Sequence, residues 1–151
     1  MMISRRGLMA LSAGAACAGF TGLAVSPAFA DVDATAKAVA AFGGGQEPGT
    51  GKITLTAPEI AENGNTVPIS VSVESAMEGD DLVESVAIFA DGNPNPEVAI
   101  FHFTPLSGEA SATTRMRLAK TQNVVAVARM KDGSVFVDKK EVKVTIGGCG
   151  G

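Results

Sequence analysis

From residue 52 onward, apolar and polar positions alternate with a period of two, and many of the apolar positions are β-branched. That pattern predicts strands near 52–57, 67–75, 83–90, 98–103, 111–118, 123–130 and 135–146. Turn signals separate them: Glu62-Asn63-Gly64-Asn65, Glu78-Gly79-Asp80, Asp91-Gly92-Asn93-Pro94, Ser107-Gly108 and Lys131-Asp132-Gly133. Pro94 and Pro96 lack amide donors, so their segment is neither helix nor central strand. Upstream, 31–42 (DVDATAKAVAAF) is alanine-rich, has acids at its start and ends in Gly43-Gly44-Gly45. It predicts a short N-terminal helix with a glycine stop. About seven strands at this spacing predict an all-β chain, an immunoglobulin-like antiparallel β-sandwich. A closed barrel is the second choice. The Cys…Trp…Cys hallmark is absent, so the expectation concerns architecture alone.

The first thirty residues follow a different pattern. Ser4-Arg5-Arg6-Gly7-Leu8-Met9 is a twin-arginine signal, followed by a weakly apolar, Ala/Gly-rich stretch over 8–25. Ala28-Phe29-Ala30 is a small-x-small cleavage site, which puts the mature start at Asp31. Ser12, Gly14, Gly19 and Gly22 make the stretch a poor membrane anchor, and Cys17 is expected to leave with it. The expected organisation is a signal peptide over 1–30, helix and linker over 31–51, a β-sandwich over 52–146 and a tail over 147–151. The twin-arginine route exports folded proteins to the periplasm. No cofactor or metal motif accounts for that choice here, so crossing together with a partner that lacks its own signal is the favoured reason.

Composition narrows the function classes. Beyond Ala30 lie all 16 acidic residues and ten of the 12 basic ones, a formal charge of −6 for the mature chain. Phosphate backbones require a basic surface, so nucleic acid is not expected as a partner. Tyr and Trp are absent, which removes aromatic stacking platforms.

The five terminal residues carry the most chemistry. Gly147-Gly148-Cys149-Gly150-Gly151 places the one cysteine beyond the signal among four glycines. A single cysteine forms no internal disulfide, although the periplasm would permit one. Glycine lacks a Cβ, so the segment is expected to be a flexible arm able to enter another protein's narrow active site. The strand before it, Val142-Lys143-Val144-Thr145-Ile146, alternates apolar and polar and anchors it. Three residues past that strand give the sulfur a reach of roughly 10 Å. Neither a base nor a cation neighbours Cys149 in sequence, and the nearby carboxylate at Gly151 disfavours the thiolate. Cys149 is therefore the candidate for covalent substrate attachment, with Gly147, Gly148, Gly150 and Gly151 as the arm and no catalytic residue of its own.

Other groups are weaker. His102 lies between Phe101 and Phe103; pairing it with Cys149 would need the tail to fold back, and a structural or interface role is expected. Arg115 and Arg117 share a strand face and could attract an anionic adduct on Cys149, but solvated charges are the expectation. Val98-Ala99-Ile100-Phe101 and Val124-Val125-Ala126-Val127 suit a core or a subunit interface. Asp80-Asp81 is a short acidic pair, expected to be a solvated turn and not a calcium site.

Several of these motifs, taken together, resemble the SoxY family of sulfur carriers in the periplasmic Sox thiosulfate-oxidising system. They are the twin-arginine signal, Ile60-Ala61-Glu62-Asn63-Gly64 followed by Val67-Pro68, and Asn93-Pro94-Asn95-Pro96-Glu97-Val98-Ala99. To these add Thr114-Arg115-Met116-Arg117-Leu118-Ala119 and the terminal Val144-Thr145-Ile146-Gly147-Gly148-Cys149-Gly150-Gly151. The resemblance implies an immunoglobulin-like subunit paired with SoxZ, with thiosulfate-derived sulfur attached at Cys149. It further implies that SoxXA loads the cysteine oxidatively, SoxB releases sulfate, and SoxCD, where present, oxidises the sulfur left as a persulfide. The alternatives are a thiol-dependent sulfurtransferase or peroxidase with Cys149 as nucleophile, a terminal thiocarboxylate on Gly151, and a purely structural subunit.

Overall fold

The computed structural model describes residues 32–148. The signal peptide, Asp31, Cys149, Gly150 and Gly151 therefore lie outside the described residues. Helix α1 (Val32–Phe42) precedes eight strands: β1 (Ile53–Thr56), β2 (Ile60–Asn63), β3 (Val67–Val73), β4 (Val83–Ala90), β5 (Glu97–His102), β6 (Ala110–Met116), β7 (Gln122–Met130) and β8 (Val135–Ile146). They form an immunoglobulin-like sandwich of a three-stranded sheet, β1-β3-β6, and a five-stranded sheet, β2-β8-β7-β4-β5.

Burial follows from what covers each face. In the smaller sheet, β1 and β3 alternate buried and exposed, because only their inner face is packed. Ile53, Leu55, Val67, Ile69, Val71 and Val73 point inward to meet Val86, Ile88, Val124, Ala126 and Val142 of the larger sheet. Strands β4 and β7 are instead buried on nearly every residue. Their second face lies under α1, where Ala38, Val39 and Phe42 pack on Ala87, Phe89, Val125, Val127 and Val135. The rings of Phe42 and Phe89 meet edge-to-face with centroids 6.3 Å apart. The run 124–127 is thus internal core on both faces and needs no second subunit to cover it.

The helix ends as its glycines require. The Gly45 amide donates to Ala40 O and the Gly44 amide to Ala41 O, with Gly44 at φ +64°. This is a Schellman stop, and the left-handed angle favours glycine. The following segment, 43–51, is more than a linker. Gly49 donates its amide to Val135 O and accepts from Val137 N–H, pinning it to the start of β8. At the β7–β8 hairpin, Gly133 takes φ +87° and Asp132 Oδ1 accepts from the Ser134 amide and hydroxyl.

One strand differs from expectation. β2 occupies Ile60–Asn63, part of which the sequence assigns to a turn, and it pairs in parallel with β8 (Ile60 with Lys143, Asn63 with Ile146). Ile60 is 61 % exposed, so the apolar alternation that reveals a strand is blunted at this edge. The turn itself begins at Gly64. Asp138 ties the two sheets together on this side, its Oδ2 accepting from the Leu55 amide at 2.8 Å.

The acidic pair resolves as a local clasp. Lys52 donates to Asp81 Oδ1, and Asp81 Oδ2 accepts from the Ala76 amide. The bond from Lys52, followed by that amide, holds the Asp81 carboxyl below its usual value of 3.8. A depressed carboxylate contributes stability above its unfolded pKa and loses it as pH falls through the folded one. Asp81→Asn is therefore expected to flatten the acid limb of unfolding below about pH 4 and to leave its shape near neutrality unchanged, as read by urea melts across pH. Phe89→Ala, which empties the space between α1 and the sheet, is expected to cost about 3–5 kcal/mol in the same assay.

Candidate functional site: the root of the C-terminal arm

Strand β8 ends at Ile146, and its register fixes what surrounds the arm. Because Asn63 lies opposite Ile146, the turn after β2 meets the chain as it leaves the sheet. The Gly64 amide donates to Ile146 O at 2.7 Å. Gly64 O accepts from the Leu118 amide at 2.8 Å, and Leu118 O accepts from the Gly148 amide at 2.9 Å. Three segments far apart in sequence are joined here through backbone alone.

Glycine is required by space at this junction. A Cβ on Gly64 would sit 2.2 Å from Leu118 O and 2.7 Å from Gly148 N. One on Gly147 would sit 2.2 Å from Ala119 O, and one on Gly148 would sit 2.8 Å from Gly64 O. Real Cβ contacts are essentially never so short. Gly148 is buried, while Gly147 is exposed. Within the segment expected to be the arm, the backbone of Gly148 is still hydrogen-bonded to Leu118 O. The physical reason is that absent side chains permit close backbone packing as readily as they permit mobility.

A buried polar network supports the Leu118 side of the junction. Asn93 is 3 % exposed between β4 and β5. Its Nδ2 donates to Arg117 O at 2.8 Å, and its Oδ1 accepts from the Ala119 amide at 3.0 Å and Gln122 Nε2 at 2.9 Å. Gln122 Oε1 accepts in turn from the Gly92 amide. Asp91 holds the start of β7 through the amide and side chain of Asn123. Thr121 Oγ1 accepts from the Val144 amide, linking the same loop to β8. Asn93, with one amide side chain, thus fixes both neighbours of Leu118.

The other candidates fall elsewhere or play lesser parts. His102 is exposed at the end of β5 opposite Ser85. Ser85 pairs with Arg129, while the arm end of β7 is Gln122. Seven residues of strand put His102 roughly 20 Å from the arm root. Arg115 is exposed on β6 opposite Pro68, whereas Arg117 lies past the strand end, beside Leu118. Arg117 borders a cavity of about 170 Å³ with Asn93, Asn95, Glu97 and Val98. Among the described residues, no group of three or more His, Cys, Asp or Glu could hold a metal ion. No helix of the described residues is long and apolar enough to cross a membrane. The roles of Gly64, Asn93 and Gln122 at this site were not legible beforehand. Gly64 and Asn93 read as turn residues, and Gln122 lies just before the expected strand 123–130, where nothing in the pattern marks it as buried.

The junction lies within a stretch of the chain that has recognisable relatives. The family model described as sulfur oxidation protein SoxY matches residues 38–149. The chain belongs to the SoxY family. The structure of the sulfur carrier protein SoxY from Chlorobium limicola f thiosulfatophilum is similar, with 36 % identity, a TM-score of 0.60, and coverage of 74 % of this chain and 96 % of that one. Superoxide reductase (neelaredoxin) from Ignicoccus hospitalis shares the fold at 21 % identity and a TM-score of 0.53, covering 62 % of this chain and 80 % of that one. A point variant of that reductase covers 83 % and 98 %, at 22 % identity and the same TM-score. No curated protein sequence matches the chain. Membership makes this chain a sulfur oxidation protein, and SoxY architecture accounts for the two sheets and the short helix of the described residues.

Asn93→Ala is expected to cost about 3 kcal/mol, since it strands the Ala119 amide and Gln122 in a buried site. Chemical denaturation measures it, and Asn93→Asp should not restore the loss because it cannot donate to Arg117 O.

Proposed function

We propose that the chain is a periplasmic sulfur carrier that holds thiosulfate-derived intermediates covalently on the thiol of Cys149 and hands them to partner enzymes. The observation that carries this reading is the family match, which runs through residue 149. Cys149 is the one thiol beyond the expected signal, two residues from the end of the chain.

The chemistry follows from a thiol. Joining Cys149 sulfur to the outer sulfur of thiosulfate forms a sulfur–sulfur bond and releases the thiol proton and an electron pair. A SoxXA-like haem protein is the acceptor. Water then attacks the terminal sulfone in a SoxB-like hydrolase, giving sulfate and leaving a persulfide on the cysteine. A SoxCD-like enzyme oxidises that sulfur further where one is present. This chain supplies attachment and delivery and catalyses none of the steps. The loaded arm is anionic, so receiving enzymes present cationic or metal-lined pockets. A SoxZ-like subunit is the stable partner and crosses the membrane with it by the twin-arginine route. The enzymatic alternative needs an activating group at the thiol, and the described residues bring no imidazole to that end of the sandwich.

Intact-mass analysis of protein from thiosulfate-grown cells tests the proposal. The expected result is loss of residues 1–30 and a reductant-sensitive sulfur adduct on the C-terminal peptide. Cys149→Ser should lack the adduct while keeping its melting temperature and its pairing with a SoxZ-like subunit. An unmodified C-terminal peptide, or an adduct that survives Cys149→Ser, overturns it.

A further inference from the structure

The carrier reading leaves open from which point the arm is free. We infer that Gly64, in the turn after β2, is a positioning residue for the arm: it docks the arm root, so that the reach of Cys149 is counted from Gly148 and not from Ile146.

The geometry is reciprocal. Gly64 binds Ile146 O through its amide and Leu118 N–H through its carbonyl, and Leu118 O binds the Gly148 amide. The position a side chain on Gly64 would take is filled by Leu118 O, Gly148 N and a Val144 methyl at 2.2, 2.7 and 2.9 Å. The position a side chain on Gly148 would take is filled by Gly64 O, Gly64 C and Asn65 N at 2.8, 3.0 and 3.2 Å. Each glycine is thus required by the backbone of the other. Clearance inside a partner's channel does not explain Gly64, which lies in a different turn 84 positions earlier in the chain. Docking explains Gly64, Gly147 and Gly148 together.

The dock changes the distance problem for a partner. Counted from Gly148, one residue of chain gives a backbone reach of about 3.5 Å, where counting from Ile146 gives roughly 10 Å. A receiving enzyme must therefore either approach the end of the sandwich beside half-buried Ala119, or displace Gly148 from Leu118. The functional meaning rests on the carrier reading, but the dock is a property of the free protein.

The test uses the mature chain, with amide hydrogen exchange resolved at residue 148. The Gly148 amide is expected to exchange at least about tenfold more slowly than an unstructured glycine amide, as one net hydrogen bond allows. Gly64→Ala should abolish that protection while the amides of β4 and β7 stay protected. Should Gly64→Ala fail to fold, Gly147→Ala carries the same test from the end of the chain, because its methyl would meet Ala119 O at 2.2 Å. A second readout is alkylation of Cys149 by a small and a bulky maleimide. Undocking should raise the bulky-to-small rate ratio several-fold, which a loss of sandwich stability alone would not do. Unprotected Gly148 in the wild-type protein, or protection and rate ratio unchanged in the variants, overturns the inference. Exchange and alkylation report the dock whether or not sulfur is ever carried, so its failure and the failure of the carrier reading are distinguishable.

Discussion

The arm end of this protein depends on one steric constraint: at Gly64 three backbone segments approach so closely that a methyl group has no place. A Cβ there would lie 2.2 Å from Leu118 O. The hydrogen bonds that result join the turn after β2, the loop between β6 and β7, and the end of β8. Each bond is worth only about 1 kcal/mol net. Their value is geometric, because they fix where the last described residue of the chain sits relative to the sandwich.

The rest of the structure holds that junction still. Strand β8 pairs antiparallel with β7 as far as Val142 and in parallel with β2 from Lys143 to Ile146, so its end remains in a ladder. Asn93 immobilises the residues on either side of Leu118 from a fully packed position. Behind these, β4 and β7 are sealed by the opposite sheet and by α1. An acceptor for an arm needs a rigid rim, and here the rim is made of buried amide groups and backbone.

Local pattern revealed the elements and could not reveal the junction. Strands β4 and β8 have the bounds that alternation and β-branching predict, since each carries a long signal closed by clear turns. β2 escaped notice because it is four residues long, sits at an edge with Ile60 exposed, and pairs with a strand some eighty residues away. The terminal glycines were legible as unusual, but their meaning split. Gly147 and Gly148 are accounted for by contacts with Ala119 and Gly64 that no window of sequence contains. Asn93 shows the same limit, for a turn asparagine and a core asparagine look alike until Arg117, Ala119 and Gln122 are brought to it. The motifs that carry the likeness to SoxY include segments that converge here, though the likeness by itself did not disclose their contacts.

Helix α1 has a consequence for assembly. By lying across β4 and β7 it uses up the middle of the larger sheet's outer face. The smaller sheet turns outward a plate of short hydroxyls, Thr54, Thr56, Ser70, Ser72, Ser111 and Thr113, with Ser70 and Thr113 bonded to each other across the strands. Neither side is a greasy slab on which a second sandwich could stack in the manner of two core faces. What these two faces leave open are the rims of the sheets and the loops at their ends, where a contact would form without stripping the fold of its covering.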